Sequence, residues 1–358
     1  MNLKIGLIGL PNAGKSTLFN ALLKKQVADV APYPFCTIEP NVGVVPVPDR
    51  RLEALAALVE IEEHVKPPLV PAVVEFVDIA RLVKGASEGE GLGNKFLSHI
   101  REVDLVVNVL RYFEDASVVH VAGEVDPERD RGIIETELIL ADLQTLGKQQ
   151  EPKGVKDKES IRRWELVTQL KAGLDQGKTA REAVMDPEDV ARIRDLHLLT
   201  MKPVLYVANV SEQQLTNLQI DQLTKKSITA ISAKIEAELA SLSDEEQKAY
   251  LRELGLEASG LDRLIRKAYE MLGLISFLTA GVKEVRAWTI VRGMKAPQAA
   301  GVIHTDFSRH FIRADVIVWN DFVQFGGWKR AREVGKVRSE GRDYEMVDGD
   351  VVEFKVSV

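Results

Sequence analysis

The chain has 358 residues, of which 45% are hydrophobic and 28% are charged, and its formal net charge at pH 7 is −7. This length suits two or three domains, each with its own core, and the composition is ordinary for a globular protein. The acidic balance excludes nonspecific coating of nucleic acid but leaves room for a local basic surface.

Nothing in the sequence suggests membrane insertion or export. No apolar stretch approaches the ~20 residues that span a bilayer. Residues 1–9 run directly into an apolar segment and a glycine-containing loop, which does not resemble a signal peptide. The single cysteine, Cys36, excludes an internal disulfide and is typical of a reducing compartment. We therefore expect a cytoplasmic protein.

Strand and helix patterns alternate early in the chain and return near residue 203. Residues 4–9 form a short apolar run, and residues 16–25 follow with helical spacing. Further strands are predicted at 70–78, 103–110, 203–209 and 228–231, and helices at 51–60, 93–101 and 221–226. This alternation predicts an α/β fold with a mostly parallel sheet covered on both faces.

The strand pattern disappears between residues 130 and 199. Apolar side chains there follow two sets of helical spacing, separated by Glu151-Pro152-Lys153-Gly154. We interpret this segment as a helical hairpin inserted into the α/β domain. Residues 148–181 carry nine basic and five acidic side chains. This local positive excess fits either a solvated helix face or a docking surface for an RNA-containing partner.

The pattern changes again toward the C-terminus. Two helices are predicted at 244–255 and 260–272, followed by strands at 284–291, 315–318, 344–347 and 351–356. Asp348-Gly349-Asp350 is a good hairpin turn before the last strand. We predict a compact α+β domain over residues 276–358, after an α/β domain over residues 1–275 that the segment 130–199 interrupts.

The first loop carries a phosphate-binding signature. Its sequence, Gly9-Leu10-Pro11-Asn12-Ala13-Gly14-Lys15-Ser16, fits G-x-x-x-x-G-K-[ST] after a strand and before a helix. The positive end of that helix favours phosphate. Lys15 is the predicted catalytic residue, because its ammonium would bridge the β and γ phosphates. Phosphates are expected to bind the backbone N–H groups of Asn12, Ala13, Gly14, Lys15, Ser16 and Thr17.

Three residues are predicted to hold Mg²⁺. The hydroxyl of Ser16 is the ligand that the loop signature supplies. Asp78 ends an apolar run, where the second acidic residue of P-loop enzymes belongs. Thr37 lies about twenty residues beyond Lys15, at the position of the first switch.

A second motif bears on the choice of purine. Asn209-Val210-Ser211-Glu212 follows a predicted strand where guanine-binding P-loop proteins carry Asn-Lys-x-Asp. The short Asp of that motif accepts two hydrogen bonds from guanine, whereas adenine offers a lone pair at N1. Here the acid is the longer Glu212, and Val210 replaces the lysine. Selectivity for GTP depends on fully paired polar groups, so these changes predict an ATPase on a GTPase scaffold.

Taken together, the motifs at residues 9–16, 32–41, 85–94 and 209–212 resemble those of the YchF/Obg-like ATPases. The resemblance covers essentially the whole chain, and residues 296–306 are similar to part of a TGS domain. It implies an Obg-type P-loop domain over 1–275, interrupted by the helical hairpin at 130–199, and a β-grasp TGS domain over 276–358.

The same resemblance implies site residues and partners. Asn209 and Val210 would contact adenine near Glu212, and Ser232 and Ala233 would belong to the last loop on the base side. ATP would be preferred over GTP, with Mg²⁺ as cofactor. Asn12 is similar to a K⁺-coordinating position in relatives that monovalent cations stimulate. Family members are associated with ribosomes and translation, often in stress responses.

One position departs from the family pattern. The second switch of the family reads Asp-x-x-Gly, whereas this chain has Arg81 in place of the glycine. A side chain there restricts the backbone. Three interpretations stay open: a tolerated variant, a switch with slower turnover, or an arginine that reaches the phosphate. Leu82 replaces the glutamine that orients water in Ras-like GTPases, which predicts slow turnover.

The leading hypothesis is a slow, Mg²⁺-dependent ATPase. Its expected partners are ATP and a ribosome, or ribosomal RNA or protein, and neither DNA nor a membrane. One alternative is a GTPase or a dual-specificity NTPase. Another is a nucleotide-gated ribosome-binding protein whose hydrolysis is incidental.

Overall fold

The computed structural model describes residues 3–29, 41–79, 92–115, 124–152, 154, 157–216, 223 and 227–357. The chain divides into two compact units. The first unit contains Met1–Val45 and Glu75–Leu264, and the second contains Pro46–Val74 and Ile265–Val358.

The strands in chain order are β1 (Lys4–Ile8), β2 (Val42–Pro46), β3 (Leu69–Val70), β4 (Val73–Asp78), β5 (Leu105–Arg111), β6 (Val204–Asn209), β7 (Thr229–Ile231), β8 (Leu274–Ala280), β9 (Val285–Val291), β10 (Phe311–Val318), β11 (Arg338–Glu340) and β12 (Asp350–Val356). The longer helices are Lys15–Asp29, Arg50–Glu63, Leu92–Glu102, Pro127–Gly147, Lys158–Asp175, Asp244–Glu253 and Gly260–Met271. Shorter helices are Ala180–Ala183, Pro187–Arg192, Glu212–Thr216, Ala233–Leu239, Ala296–Ile303, Thr305–Arg309, Trp319–Gln324 and Trp328–Glu333, with 3₁₀ turns at Arg194–Leu196 and Leu199–Met201.

The first sheet has the strand order β2-β4-β1-β5-β6-β7. Strand β1 pairs in parallel with β4 and β5, and the pairs β5–β6 and β6–β7 are also parallel. Every residue of β5 is buried, as expected for a parallel strand covered on both faces. The predicted mostly parallel α/β sheet is therefore confirmed.

The helical insert is built from Pro127–Gly147 and Lys158–Asp175. Asp126 and Asp157 cap the N-termini of these helices by accepting backbone N–H bonds. Leu146, Leu166 and Leu170 belong to a buried cluster within the insert. Ile161 also follows the helical spacing, but it is 44% exposed.

The first helix of the insert also packs on the α/β domain. Its side chains Ile134 and Leu138 share one buried cluster with Phe96 and Val106. On the same helix, the buried carboxylate of Asp142 accepts the backbone N–H groups of residues 199 and 200 at 2.7 and 2.8 Å. Burial raises the pKa of Asp142. These contacts hold the insert helix against the 3₁₀ turn that precedes β6.

The positive excess of residues 148–181 is partly neutralised by carboxylates elsewhere in the insert. Arg162 forms an ion pair with Asp189, and Arg163 forms one with Asp195 at 2.6 Å. Both acids lie C-terminal to residue 181, outside the segment that carries the positive excess. The pairing favours the interpretation as a solvated helix face over that as an RNA-docking surface.

Tyr206 of β6 connects the insert to the strand that ends at Asn209. Its hydroxyl donates to the Glu135 carboxylate, and the Arg131 guanidinium lies 4.3 Å from the centre of its ring. Burial, together with this hydrogen bond, raises the pKa of Tyr206 to about 12.

Replacing Tyr206 by phenylalanine is expected to weaken the fold at neutral pH and to remove one phenol that ionises late. The pKa of Tyr206 in the folded protein lies above the unfolded value of ~10. The contribution of Tyr206 to the free energy of unfolding is therefore complete at pH values below ~10. It disappears as the pH rises through about 12. An ultraviolet difference titration of wild type minus Tyr206→Phe measures this ionisation. A midpoint close to that of free tyrosine would contradict the prediction.

The second unit contains a mixed sheet with the order β11-β10-β12-β8-β9-β3. The pairs β8–β9 and β10–β12 are antiparallel, whereas β12–β8 and β3–β9 are parallel. Phe277, Ala299 and Val316 are fully buried in its core, where helix Ala296–Ile303 contributes beside the strands. The expected compact α+β domain is confirmed.

The limits of this unit differ from the predicted border after residue 275. The unit begins at Ile265 and also takes in Pro46–Val74. The reason is long-range pairing, because the two-residue strand β3 pairs with β9 more than 200 residues later, at Leu69↔Val285. Residues 344–347, predicted as a strand, make only an isolated bridge, Lys295↔Glu345.

Within the described part of the chain, no helix has the length and apolar character needed to cross a membrane.

Candidate functional site

The phosphate-binding loop connects β1 to helix Lys15–Asp29. Asn12 and Gly14 have φ values of 65° and 91°, and the N–H of Ala13 donates to the Leu10 carbonyl at 3.2 Å. Positive φ is tolerated by asparagine and glycine, and alternation with ordinary φ values turns successive N–H groups toward one concave side. The structure thus gives the loop a form suited to an anion.

Lys15 and Asp78, two of the predicted site residues, lie side by side. The Lys15 ammonium forms an ion pair with the Asp78 carboxylate and donates to the Ile79 carbonyl at 2.7 Å. Their proximity follows from sheet topology, because β1 and β4 are parallel neighbours with Leu7 opposite Asp78. Lys15 is only 6% exposed, so its charge lies at the end of the sheet rather than in bulk water.

Asn209 joins the phosphate-binding loop to the base-side loop. Its Nδ2 donates to the Ala13 carbonyl at 2.9 Å, and its Oδ1 accepts the Ala233 N–H at 3.0 Å. The residue is 5% exposed. Since an amide carries two N–H groups, one donor is left after these two bonds. The predicted residues Ala13, Asn209 and Ala233 are therefore brought together in one hydrogen-bonded unit.

A cavity of about 900 Å³ adjoins this unit. Val210 on its wall is buried in an apolar cluster with Leu215 and Ile235. Ser232 caps the helix Ala233–Leu239, and Glu212 is the first residue of helix Glu212–Thr216. The predicted residues in the lining are Gly14, Thr17, Asn209, Val210, Glu212, Ser232 and Ala233.

Sequence reasoning missed the wall that follows β5. Phe113, Glu114 and Asp115 line the same cavity. The buried Arg111 holds this wall, because it donates to the carbonyls of Phe113 and Asp115 at 3.2 and 3.4 Å. Its guanidinium also lies 4.5 Å from the centre of the Phe113 ring. The sequence signal that could have identified these residues was their position directly after β5, since ligands bind beyond the carboxyl ends of parallel strands.

Other predicted residues lack a structural test. Thr37, Arg81 and Leu82 lie outside the described residues. Ser16 is exposed at the start of its helix. Among the residues that the structure describes, no group of three or more His, Cys, Asp or Glu is placed to hold a metal ion. Ser16 and Asp78 stay predicted ligands of Mg²⁺, an ion that usually keeps several waters and binds through few protein groups plus substrate phosphates.

Replacing Gly14 by alanine is expected to weaken nucleotide binding strongly. An added Cβ would lie 2.0 Å from Asn209 Nδ2, and the φ of +91° is unfavourable for a side chain. Binding of a fluorescent nucleotide should fall about 100-fold or more, since the bridge through Asn209 would have to shift.

Gly132→Ala is the matched control for that variant. Gly132 lies in a helix with nothing within 4 Å of the added Cβ. This change should leave nucleotide affinity intact and add about 1 kcal/mol of stability. Equal affinities of the Gly14→Ala and Gly132→Ala proteins would refute the proposed packing.

In the basic segment at residues 328–332, Lys329 and Arg330 are exposed, whereas Arg332 is paired. Arg332 forms ion pairs with Glu353 at 2.6 Å and Asp315 at 3.5 Å, and Ala331 is fully buried.

Two family models match the chain. A model described as "50S ribosome-binding GTPase" (MMR_HSR1) matches residues 4–141, and YchF-GTPase_C, described as "Protein of unknown function (DUF933)", matches residues 274–357. Two proteins named Ribosome-binding ATPase YchF are similar to this chain over 100% of both chains. The one from Bacillus subtilis (strain 168) is 47% identical to it, and the one from Escherichia coli O157:H7 is 46% identical.

A solved structure agrees with these matches. The Schizosaccharomyces pombe YchF GTPase superposes with a TM-score of 0.85 at 36% identity, covering 99% of this chain and 98% of that one. The resemblance seen in the motifs is thereby confirmed. The chain belongs to the YchF family, whose fold it shares: a P-loop GTPase-like domain with a mostly parallel sheet and a C-terminal β-rich domain.

Proposed function

We propose that this protein is a ribosome-binding P-loop ATPase that hydrolyses ATP to ADP and phosphate with slow intrinsic turnover. The observation that carries the proposal is the hydrogen-bonded unit of Ala13, Asn209 and Ala233, which adjoins a cavity of about 900 Å³ beside the phosphate-binding loop. The names of the bacterial relatives support the ATPase and ribosome-binding parts. Because ribosomes work there, the proposal places the protein in the cytoplasm.

The phosphates would bind the N–H groups of residues 12–17 and the ammonium of Lys15. Lys15 is already oriented toward the end of the sheet by Asp78 and the Ile79 carbonyl. Ser16 and Asp78, with Thr37, would hold Mg²⁺, which neutralises phosphate charge when bound. Asn12 would be the K⁺-responsive residue. Catalysis then rests on positioned positive charge and backbone donors, and slow turnover is expected.

The base would lie against Val210 and Phe113, with the second N–H of Asn209 directed at an acceptor on the purine. Glu212 begins a helix on the cavity wall. Its extra methylene displaces the carboxylate from the place where a shorter acid pairs with both donors of guanine. A site that cannot pair these donors loses its advantage for GTP.

Phosphate release from ATP and GTP, with and without ribosomes and K⁺, tests this proposal. ATP should be hydrolysed faster, and ATP should displace a fluorescent nucleotide at least about tenfold better than GTP. The comparison is informative because the fission-yeast relative is called a GTPase. Tighter binding of GTP would refute the assignment of Glu212.

Ribosome binding needs its own measurement. Co-sedimentation with ribosomes should occur and should differ between ATP and ADP. Lys15→Ala serves as the control that separates nucleotide-dependent binding from nonspecific pelleting. Sedimentation equal to that of a protein without ribosomes would remove the ribosome from the proposal and leave the ATPase part standing.

A further inference from the structure

A second cavity, of about 570 Å³, lies wholly within the second unit. Its walls come from the start of helix Arg50–Glu63, the last turns of helix Gly260–Met271, the start of β8 and the turn before β12. This volume lies in the range of sites that bind small molecules the size of a nucleotide.

Two carboxylates in the lining, those of Asp49 and Asp348, form ion pairs with the same arginine, Arg51. Arg51 pairs with Asp49 at 2.7 Å and with Asp348 at 2.8 Å. Asp49 also accepts the backbone N–H of Arg51 at 3.0 Å, and Asp348 accepts that of Ser276 at 2.9 Å. The two carboxylates and Arg51 together carry one net negative charge.

Three further arginines line the same cavity: Arg50, Arg266 and Arg292. Their side chains form no ion pair or hydrogen bond with any residue that the structure describes. The Nε of Arg266 is buried, and no acceptor among the described residues pairs with it. A buried donor without a partner is unfavourable, so an anionic acceptor would stabilise it. With Glu270, the lining contains four arginines and three acids, so its formal net charge is +1.

An aromatic wall accompanies these charges. Trp319 lines the cavity, and its backbone N–H donates to the Gly349 carbonyl at 3.1 Å. A Cβ on Gly349, whose φ is +86°, would lie 2.9 Å from Trp319 and 2.8 Å from Arg51. The turn before β12 thus packs closely against the side chains of Trp319 and Arg51. Glycine at position 349 is what allows this close packing.

We propose that this cavity is a second anion site, which binds a phosphorylated ligand of nucleotide size. Arg266 and Arg292 would bind the phosphate, with Arg50 at the rim, and Trp319 would contact the ring. Phosphate fits better than a carboxylate because a terminal phosphate carries close to two charges and accepts several N–H bonds from planar guanidinium groups. The phosphate can come from a free nucleotide or from the end of an RNA strand. The site does not depend on the proposed ATPase activity.

Isothermal titration calorimetry on the full-length protein tests the site while saturating ADP and Mg²⁺ occupy the phosphate-binding loop. The probes are inorganic pyrophosphate, uridine monophosphate, uridine and a 5′-phosphorylated uridine tetranucleotide. Pyrophosphate and uridine monophosphate should bind and uridine should not. Tighter binding of the tetranucleotide than of uridine monophosphate would identify the end of an RNA strand as the source of the phosphate. Equal binding of the two probes would identify a free nucleotide.

Arg292→Gln and Arg266→Gln should each weaken binding of uridine monophosphate about tenfold or more, as expected when one charge-assisted contact is lost. Arg292 and Arg50 are exposed, so their variants should fold even if Arg266→Gln does not. Arg309→Gln, at an exposed position outside the cavity lining, is the matched control and should bind like wild type. Absence of binding by both phosphate probes, or equal weakening by Arg309→Gln and Arg292→Gln, would overturn the proposal.

Discussion

Replacing Lys15 by alanine is expected to lower the rate of nucleotide hydrolysis about 100- to 1000-fold, the usual effect of removing one positioned donor from a transition state. The Lys15 side chain is 6% exposed, and its ammonium contacts the Asp78 carboxylate and the Ile79 carbonyl beyond the carboxyl end of β1. A charge held in this way needs little rearrangement to stabilise charge that develops on the γ-phosphate. Release of phosphate under saturating ATP is the measurement.

The same helix provides a control. Lys24 is exposed, and its ammonium donates to the Ser241 hydroxyl at 3.0 Å. Lys24→Ala removes an equal charge from that helix and should leave turnover within about twofold of wild type, because exposed charges interact weakly. If Lys15→Ala retained turnover within tenfold of Lys24→Ala, Lys15 would not be the catalytic residue.

The phosphate site was predictable because its parts are local. A strand, a glycine-containing loop and a helix follow one another within residues 4–29, and their geometry is set by neighbouring residues. Asp78 could be added because it ends an apolar run, where the second acidic residue of P-loop enzymes belongs. The structure then supplies what spacing cannot, namely that Lys15 and Asp78 form an ion pair.

Features formed by residues far apart in the chain could not be predicted from the sequence. Strand β3 has two residues and no periodicity of its own, and its partner lies in β9. Residues 46–74 therefore looked like part of the α/β domain. The cluster of Arg50, Arg266 and Arg292 is hidden for the same reason, since three separate segments must fold before the charges meet.

The proposed purine site was predicted only in part. The motif at residues 209–212 identified one wall of the cavity, whereas Phe113 on the other wall was missed. Nothing in the residue types near Phe113 distinguishes it from core. Arg111 is the structural clue, because a fully buried arginine that binds two carbonyls of the next segment fixes the course of that segment.

Replacing Asn209 by alanine is expected to weaken both nucleotide binding and the fold. The change leaves the Ala13 carbonyl and the Ala233 N–H without their buried partner. Each of the two lost bonds costs about 1–3 kcal/mol, so the free energy of unfolding should fall by about 2–6 kcal/mol. Nucleotide affinity should fall about 100-fold, because the two loops proposed to bind phosphate and base are no longer held together by this side chain. Urea unfolding and titration with a fluorescent nucleotide give the two quantities.

Two further variants separate the bridge from a general loss of packing. Asn209→Asp keeps an acceptor for the Ala233 N–H but places a carboxylate where the Ala13 carbonyl needs a donor, so it should bind nucleotide as poorly as alanine does. Asn108→Ala removes a fully buried amide from the neighbouring strand β5 and should leave affinity within about threefold of wild type, because Asn108 does not line the cavity. If Asn108→Ala and Asn209→Ala lost the same affinity, the effect would come from weakening the sheet. A loss confined to residue 209 would show that one side chain sets the distance between the phosphate and the purine.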